Sequence, residues 1–295
     1  MNGKKRAGWI GLCILALLVA IGVQLVGSML VVVPYSVFAG IQAAAGGGTA
    51  NDAMQSVMGD MGNMMSIALV VVGFLLLIVF VPWYYFGCGR PKITGKSAKR
   101  VFSPRTLLVV LVLAVGMNYG INCLLQLVYE LAPKLLESYQ ELMESSGLGI
   151  NAWANAAAVI LAPLGEELIF RGVIFHYARK AVTGMKSPKK AFWIANCIQA
   201  LLFGIYHMNL VQGIYAFAIG LVLGYLCQKY HSVIPGMLAH LIFNGISTLF
   251  NEQLYGWIPE SAAWYGLIAA AGAILVLTTL LVNGSAVTEN NRNVA

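Results

Sequence analysis

Residues 152–177 read AWANAAAVILAPLGEELIFRGVIFHY. By hydropathy this is a helix long enough to cross a bilayer, which takes about 20 predominantly apolar residues. Yet Glu166, Glu167 and Arg171 stand in its middle. Each charge at a helix centre costs about 2.5–3.5 kcal/mol to insert, so three unpaired charges would cost roughly 8–10 kcal/mol. A membrane helix that keeps such residues generally uses them.

The rest of the chain supports the membrane reading. Of its 295 residues 59% are hydrophobic and only 10% charged, where a soluble domain carries about 25% charged residues. The fold class expected is all-α, a polytopic helical membrane protein with about eight transmembrane helices. Alternating strands of the kind a membrane barrel needs are absent from the pattern. The net charge of +7 invites a nucleic-acid reading, but the basic residues lie between apolar spans, where they set topology. The five cysteines show no pairing or metal-binding spacing.

Taken outward from residues 152–177, the spans fall at 7–33, 64–86 and 106–129 before it and at 191–207, 210–227, 233–250 and 263–282 after it. The first follows Lys4, Lys5 and Arg6 and is nearly twice the length of a signal-peptide apolar region, about 7–15 residues, so it reads as an uncleaved span. Residues 35–63, rich in Gly, Ala and Met, read as an outside loop with some helix. Residues 133–146 read as an amphipathic acidic segment on the outer surface. Of 18 Lys and Arg, 16 fall in segments that eight spans place inside, while eight of 11 acids fall outside. That asymmetry follows the positive-inside rule and puts both termini in the cytoplasm. The chain divides into 1–149 (three spans and the outer amphipathic segment), 150–252 (a four-span core) and 253–295 (the last span and a short polar tail).

Counting residues from the span edges puts Glu166 near mid-bilayer, His207 near the outer edge and His240 about two turns in from the cytoplasm. The two-residue link after His207 suggests a re-entrant turn buried in protein, since bare backbone does not face lipid.

Four groups carry chemistry: Glu166-Glu167-x-x-x-Arg171, Phe203-x-x-x-His207, Phe217-x-x-Gly220-x-x-x-Gly224, and His240-x-x-x-Asn244. Glu167 and Arg171, spaced i, i+4, can pair on one helix face. Glu166 lies about 100° around the helix and lacks that partner, which suits a general base. Pro163 and Gly165 can bend the helix and make room for water. His207 could share that water with Glu166. His240 and Asn244 share a face and could hold an oxyanion. Gly220 and Gly224 read as a packing face. Asn118, Asn122, Asn196 and Gln199 read as interhelical hydrogen-bonding groups or cavity lining. His176 and His231 read as interfacial. The bland alternatives are a structural Glu167–Arg171 pair, a core histidine at 207 and polar glue at 240 and 244.

In order and on separate spans, these groups resemble the CAAX protease and bacteriocin-processing family, also called Abi, over about residues 150–250. The resemblance implies an intramembrane endopeptidase acting on a membrane-associated or hydrophobic peptide. It implies Glu166, Glu167, Arg171, His207, His240 and Asn244 as site residues, and leaves open bacteriocin processing, self-immunity and prenylated tails. A bacterial plasma membrane is the expected location, with the bilayer and a peptide as partners and no nucleic acid. No cofactor is favoured. The alternative is zinc held by Glu166, His207 and His240, although no His-Glu-x-x-His pair is present. A non-catalytic immunity or scaffold protein and a secondary transporter are the competing classes.

Overall fold

The computed structural model describes residues 3–88 and 99–283. Arg90, Lys92 and Lys96 of the expected basic loop, and the polar tail after residue 283, lie outside the described residues. Among those described, the chain is helical throughout with no strand.

The helices are α1 (Gly3–Ala45), α2 (Ala50–Gly59), α3 (Met61–Pro82, prolonged by a π-helical turn Trp83–Gly87), α4 (Pro104–Leu131), α5 (Glu137–Ser145), a composite α6 over residues 152–181, α7 (Pro188–Tyr206), α8 (Leu210–Tyr230), α9 (Ile234–Leu249), the short α10 (Asn251–Tyr255) and α11 (Ala262–Asn283). Eight of these coincide with the eight expected spans. Five of the eight, α1, α3, α4, α8 and α11, are long and apolar enough to cross a membrane by length and composition alone. The other three are α6, α7 and α9, and they carry the chemistry. In chain order Arg179, Lys180, Lys186, Lys189 and Lys190 fall at the junction of α6 and α7, and Glu137, Glu141 and Glu144 fall on α5.

The expected outside loop at 35–63 is instead two helices. α1 runs on to Ala45, through Pro34, because the run from Val37 to Ala45 has only one glycine. It stops at Gly46–Gly48, where Gly47 takes a φ of 75°. Thr49 and Asp52 then form a reciprocal capping box that starts α2, and the Tyr35 hydroxyl donates to Asp60 across the hairpin. At 43 residues, α1 is roughly 64 Å long, about twice a bilayer core.

α6 is the central rod, with residues 165–175 all buried. It is not a plain α-helix. Ala157–Leu161 and Leu168–Ile174 are π-helical, and such turns free carbonyls that neighbouring side chains then serve. The Cys13 thiol of α1 donates to the Ile174 carbonyl at 3.5 Å, and the Cys227 thiol of α8 to the Arg171 carbonyl at 3.7 Å. All five cysteines are unpaired.

Small residues set the crossings around this rod. At the α7–α8 hairpin, a Cβ on Gly204 would sit 2.6 Å from the Gly213 carbonyl oxygen. Asn209 caps α8 by accepting from the Gln212 amide at 3.0 Å, and Met208 takes a left-handed φ of 52°. The turn is not enclosed in protein as the sequence suggested, since Met208 and Leu210 are exposed. Only its inner side, at Tyr206, is buried. At Gly224 a Cβ would lie 1.9 Å from Asn196 Oδ1 and 2.6 Å from Gln199 Nε2. The two side chains use that space to reach α8. Asn196 donates to the Leu221 carbonyl at 3.0 Å and Gln199 to the Gly220 carbonyl at 2.8 Å.

Candidate active site

α9 is short, 16 residues. Its first turn abuts α6. A Cβ on Gly236 would lie 2.7 Å from Glu167 Oε2, so the bare glycine lets the helix begin beside the carboxylate. His240, one turn further on, therefore arrives level with the two glutamates.

The ion pairs follow from that placement. Glu167 Oε1 accepts from Arg171 Nη1 at 2.8 Å, as the i, i+4 spacing allows, and meets His240 Nδ1 at 3.1 Å. His240 Nε2 lies 3.7 Å from Glu166 Oε2. That is too long for a direct hydrogen bond. Glu167 and Arg171 are sealed, at 0% and 2% exposure, while Glu166 keeps 8%. Breaking such a buried pair by removing one partner costs about 3–5 kcal/mol, so this pair holds both the fold and His240. Glu167 Oε2 and Arg171 Nε and Nη2 are buried with no protein hydrogen-bond partner.

Phe203 ties the cluster together. The Arg171 guanidinium stacks over its ring at 4.3 Å, and the rings of His207 and His240 meet it edge-on at 5.0 and 5.8 Å. Gly220 contributes beyond packing, because a Cβ there would come 3.3 Å from Arg171 Nη2.

Asn244 is placed by α6 itself. In the first π turn the Ala162 N–H bonds the Ala157 carbonyl, five residues back. The next carbonyl, Ala158, would then look to residue 163, which is a proline and has no N–H. Asn244 Nδ2 fills the gap, donating to Ala158 O at 2.8 Å. Further out, the Asn118 side chain donates to the Phe243 carbonyl at 2.9 Å and to Ser247 Oγ at 2.7 Å. Asn122 donates to the same hydroxyl at 3.2 Å, and the Tyr255 hydroxyl donates to Asn118. These asparagines fix the outer half of α9 against α4.

Glu166, His207, His240 and Asn244 all line one cavity of about 940 Å³. Glu167 and Arg171 stand behind it. Tyr206 and Tyr215 also line it. Sequence reading missed both, since tyrosine in an apolar span carries no marker of its own. Their signal was proximity in the chain to His207 on the short α7–α8 turn. The pairing differs from the sequence expectation in one respect. It is His240 that meets the glutamates, while His207 makes ring contacts to Phe203 and Tyr206. His176 and His231 lie outside the cavity lining.

Residues 149–246 match the Rce1-like family model, that of the type II CAAX prenyl endopeptidases. The match spans 98 of the 295 residues and holds Glu166, Glu167, Arg171, Phe203, His207, His240 and Asn244. This Rce1-like segment, set in a bundle of apolar helices, supports an integral-membrane protease of the CAAX-protease type. No curated protein and no solved structure matches the chain.

In a zinc set of Glu166, His207 and His240 the donor of His240 would be Nε2, because Nδ1 is engaged by Glu167. Among the described residues no group of three or more His, Cys, Asp or Glu side chains is placed to hold a metal, which would need all its ligands about 2.0–2.2 Å from one point.

Proposed function

We propose that the Rce1-like segment hydrolyses a peptide bond in a membrane-associated or hydrophobic substrate by a glutamate-type, metal-independent mechanism. The observation that carries the reading is the convergence of Glu166, His207, His240 and Asn244 on one cavity, with a Glu167–Arg171 pair behind them.

The roles follow from the hydrogen bonds. With its Nδ1–H donated to Glu167, a neutral His240 presents the Nε2 lone pair toward Glu166. Two acceptors 3.7 Å apart suit one water, whose two protons point at Glu166 and His240 and whose lone pair faces the cavity. Glu166 takes a proton as the water oxygen attacks the peptide carbonyl. The carbonyl becomes an oxyanion, stabilised by N–H donors. Asn244 spends one N–H on Ala158 and has a second to give. His207, which lines the same cavity, supplies the other donor. The tetrahedral intermediate then collapses, the C–N bond breaks, and Glu166 returns its proton to the departing amine. The products are a carboxylic acid end and an amine end, and the acid's proton, the second from the water, then passes to the amine to leave a carboxylate and an ammonium. Glu167 and Arg171 position His240 and touch no substrate. The sequence reading gave His207 to the water and His240 to the oxyanion. The Glu167–His240 contact favours the exchange of these two roles.

The test compares membrane peptides by mass spectrometry in wild type and Glu166→Ala, with and without a chelator. New peptide ends present in the wild type, lost in the variant and indifferent to chelation are expected. Identical peptide ends in both strains would end the hydrolytic reading and favour a binding or immunity role. Ends lost on chelation would end the metal-independent one.

A further inference from the structure

Between residues 7 and 41, α1 holds one carboxamide, Gln24, and no charged side chain. Gln24 does not stand on the lipid face. Leu17, Ala20 and Gly27 are buried along one stripe of the helix. Gln24 follows Ala20 by four residues and precedes Gly27 by three, which puts it on that stripe. Its Oε1 is buried and has no hydrogen-bond partner. An orphaned acceptor in apolar surroundings is costly, and native structures keep few of them.

Gln24 lines the same cavity as Glu166. The packing of α1 on α3 shows how the two come together. Trp9 stacks on Tyr177 at 5.9 Å, and the Trp83 indole donates to the hydroxyl of that tyrosine at 2.9 Å. The start of α1 therefore meets the end of α3. Further along, a Cβ on Gly27 would lie 2.8 Å from Val72 Cγ2. The two helices thus run in opposite senses, and Gln24 falls beside the turn of α3 from Gly73 to Leu76. The same turn abuts α6. A Cβ on Gly73 would lie 2.8 Å from Leu161 Cβ, and one on Gly165 would lie 3.5 Å from Leu76 Cβ. Gly165 adjoins Glu166, so one turn of α3 links the level of Gln24 to that of the proposed base.

The α3 residues that line the cavity are Met65, Leu69, Val72, Gly73 and Leu76, and none has a side-chain donor. A buried water needs two to four polar partners, and Gln24 against this wall supplies one. A peptide main chain fits better. It carries its own N–H groups, each of which needs an acceptor once out of water, and its apolar side chains match the wall. The terminal torsion of glutamine is soft, so the carboxamide can turn its oxygen toward the cavity. We infer that Gln24 is a substrate-binding residue whose Oε1 accepts a main-chain N–H of the bound peptide. This rests on the proposed hydrolysis for calling the peptide a substrate. Gln24 lies outside residues 149–246, so the first helix contributes to a site otherwise built by the Rce1-like segment.

The test takes a synthetic peptide spanning one Glu166-dependent cleavage site and follows its turnover in proteoliposomes. Wild type is compared with Gln24→Met, which keeps the length of the side chain and removes the hydrogen bond. KM should rise about three- to tenfold, the worth of one neutral hydrogen bond, with kcat little changed. The melting temperature without peptide should hold or rise, because the variant loses an acceptor that the fold leaves unpaired. Peptides N-methylated at one backbone nitrogen each give a second readout. One of them should lose the same factor against wild type and nothing further against Gln24→Met. An unchanged KM, a lower melting temperature with kcat reduced, or N-methyl penalties equal in both chains would overturn the inference and leave the hydrolytic reading intact. If no Glu166-dependent cleavage site exists, the hydrolytic reading fails and this inference fails with it.

Discussion

Gly236→Ala tests whether Glu167 acts through His240. A Cβ at this position would lie 2.7 Å from Glu167 Oε2, where ordinary contact begins at 3.4 Å. The carboxylate or the first turn of α9 must therefore yield by about 0.7 Å. Glu167 has no slack, since it is fully buried and its other oxygen is held by Arg171 at 2.8 Å and His240 at 3.1 Å. Moved by that amount, the His240 contact stretches to about 3.8 Å, beyond hydrogen-bond range. Overpacking of this kind costs about 1–3 kcal/mol, and the better helix propensity of alanine offsets up to about 1 kcal/mol, so the variant folds. Catalysis fares worse, because a misplacement near 1 Å costs on the order of 100-fold. The expected result is a ten- to hundredfold slower appearance of the Glu166-dependent peptide ends in proteoliposomes, with a melting temperature lowered by only a few degrees. In a Glu167→Asp background, whose carboxylate is withdrawn by one methylene, adding Gly236→Ala should cost little more. Full additivity of the two changes, or wild-type turnover by Gly236→Ala alone, would refute the link between Glu167 and His240.

Two further perturbations address Asn244 and its helix. Pro163→Ala restores an N–H that competes for the Ala158 carbonyl and so releases the Asn244 amide. Turnover should fall severalfold while thermal stability in detergent holds or rises, and unchanged turnover would show that this hydrogen bond does not place Asn244. Asn118→Ala removes the donors to Phe243 O and Ser247 Oγ, a loss of about 1–3 kcal/mol with the Tyr255 hydroxyl left unmatched. It should speed hydrogen exchange in the last two turns of α9 more than in α8, and equal change in both helices would count against a pinning role.

Much of the architecture was legible in the sequence because lipid enforces a simple rule. A backbone in hydrocarbon must satisfy its hydrogen bonds within one segment, so apolar length maps onto helices, and eight expected spans found eight rods. The rule is silent where protein replaces lipid. Pro163 and Gly165 read as bends, yet α6 absorbs Pro163 by switching hydrogen-bond spacing, and α1 likewise continues through Pro34. Extension of α1 to Ala45 was hidden because the outer part of the helix answers to helix propensity and capping, not to hydropathy. The cluster itself was legible by cost, since charged and imidazole side chains do not survive inside apolar helices without partners. Which histidine meets which glutamate was not. Hydropathy carries no register between one helix and the next, and α9 starts beside Glu167 because residue 236 is glycine.

The same glycine shows why the polar residues are affordable here. Glu167 is neutralised by Arg171, the guanidinium lies on Phe203, and the first turn of α9, with its positive dipole end, sits against the free carboxylate oxygen. Each device lowers the cost of burying Glu167, and together they leave Glu166 as the carboxylate with neither an arginine nor a helix end to hold it. A residue so placed, at the floor of a cavity that ends on it, is the one to which the proposed mechanism assigns the proton transfer. The surrounding arrangement is built to keep Glu167 fixed and Glu166 available, and that division of labour between adjacent carboxylates is what a structural ion pair alone would not require.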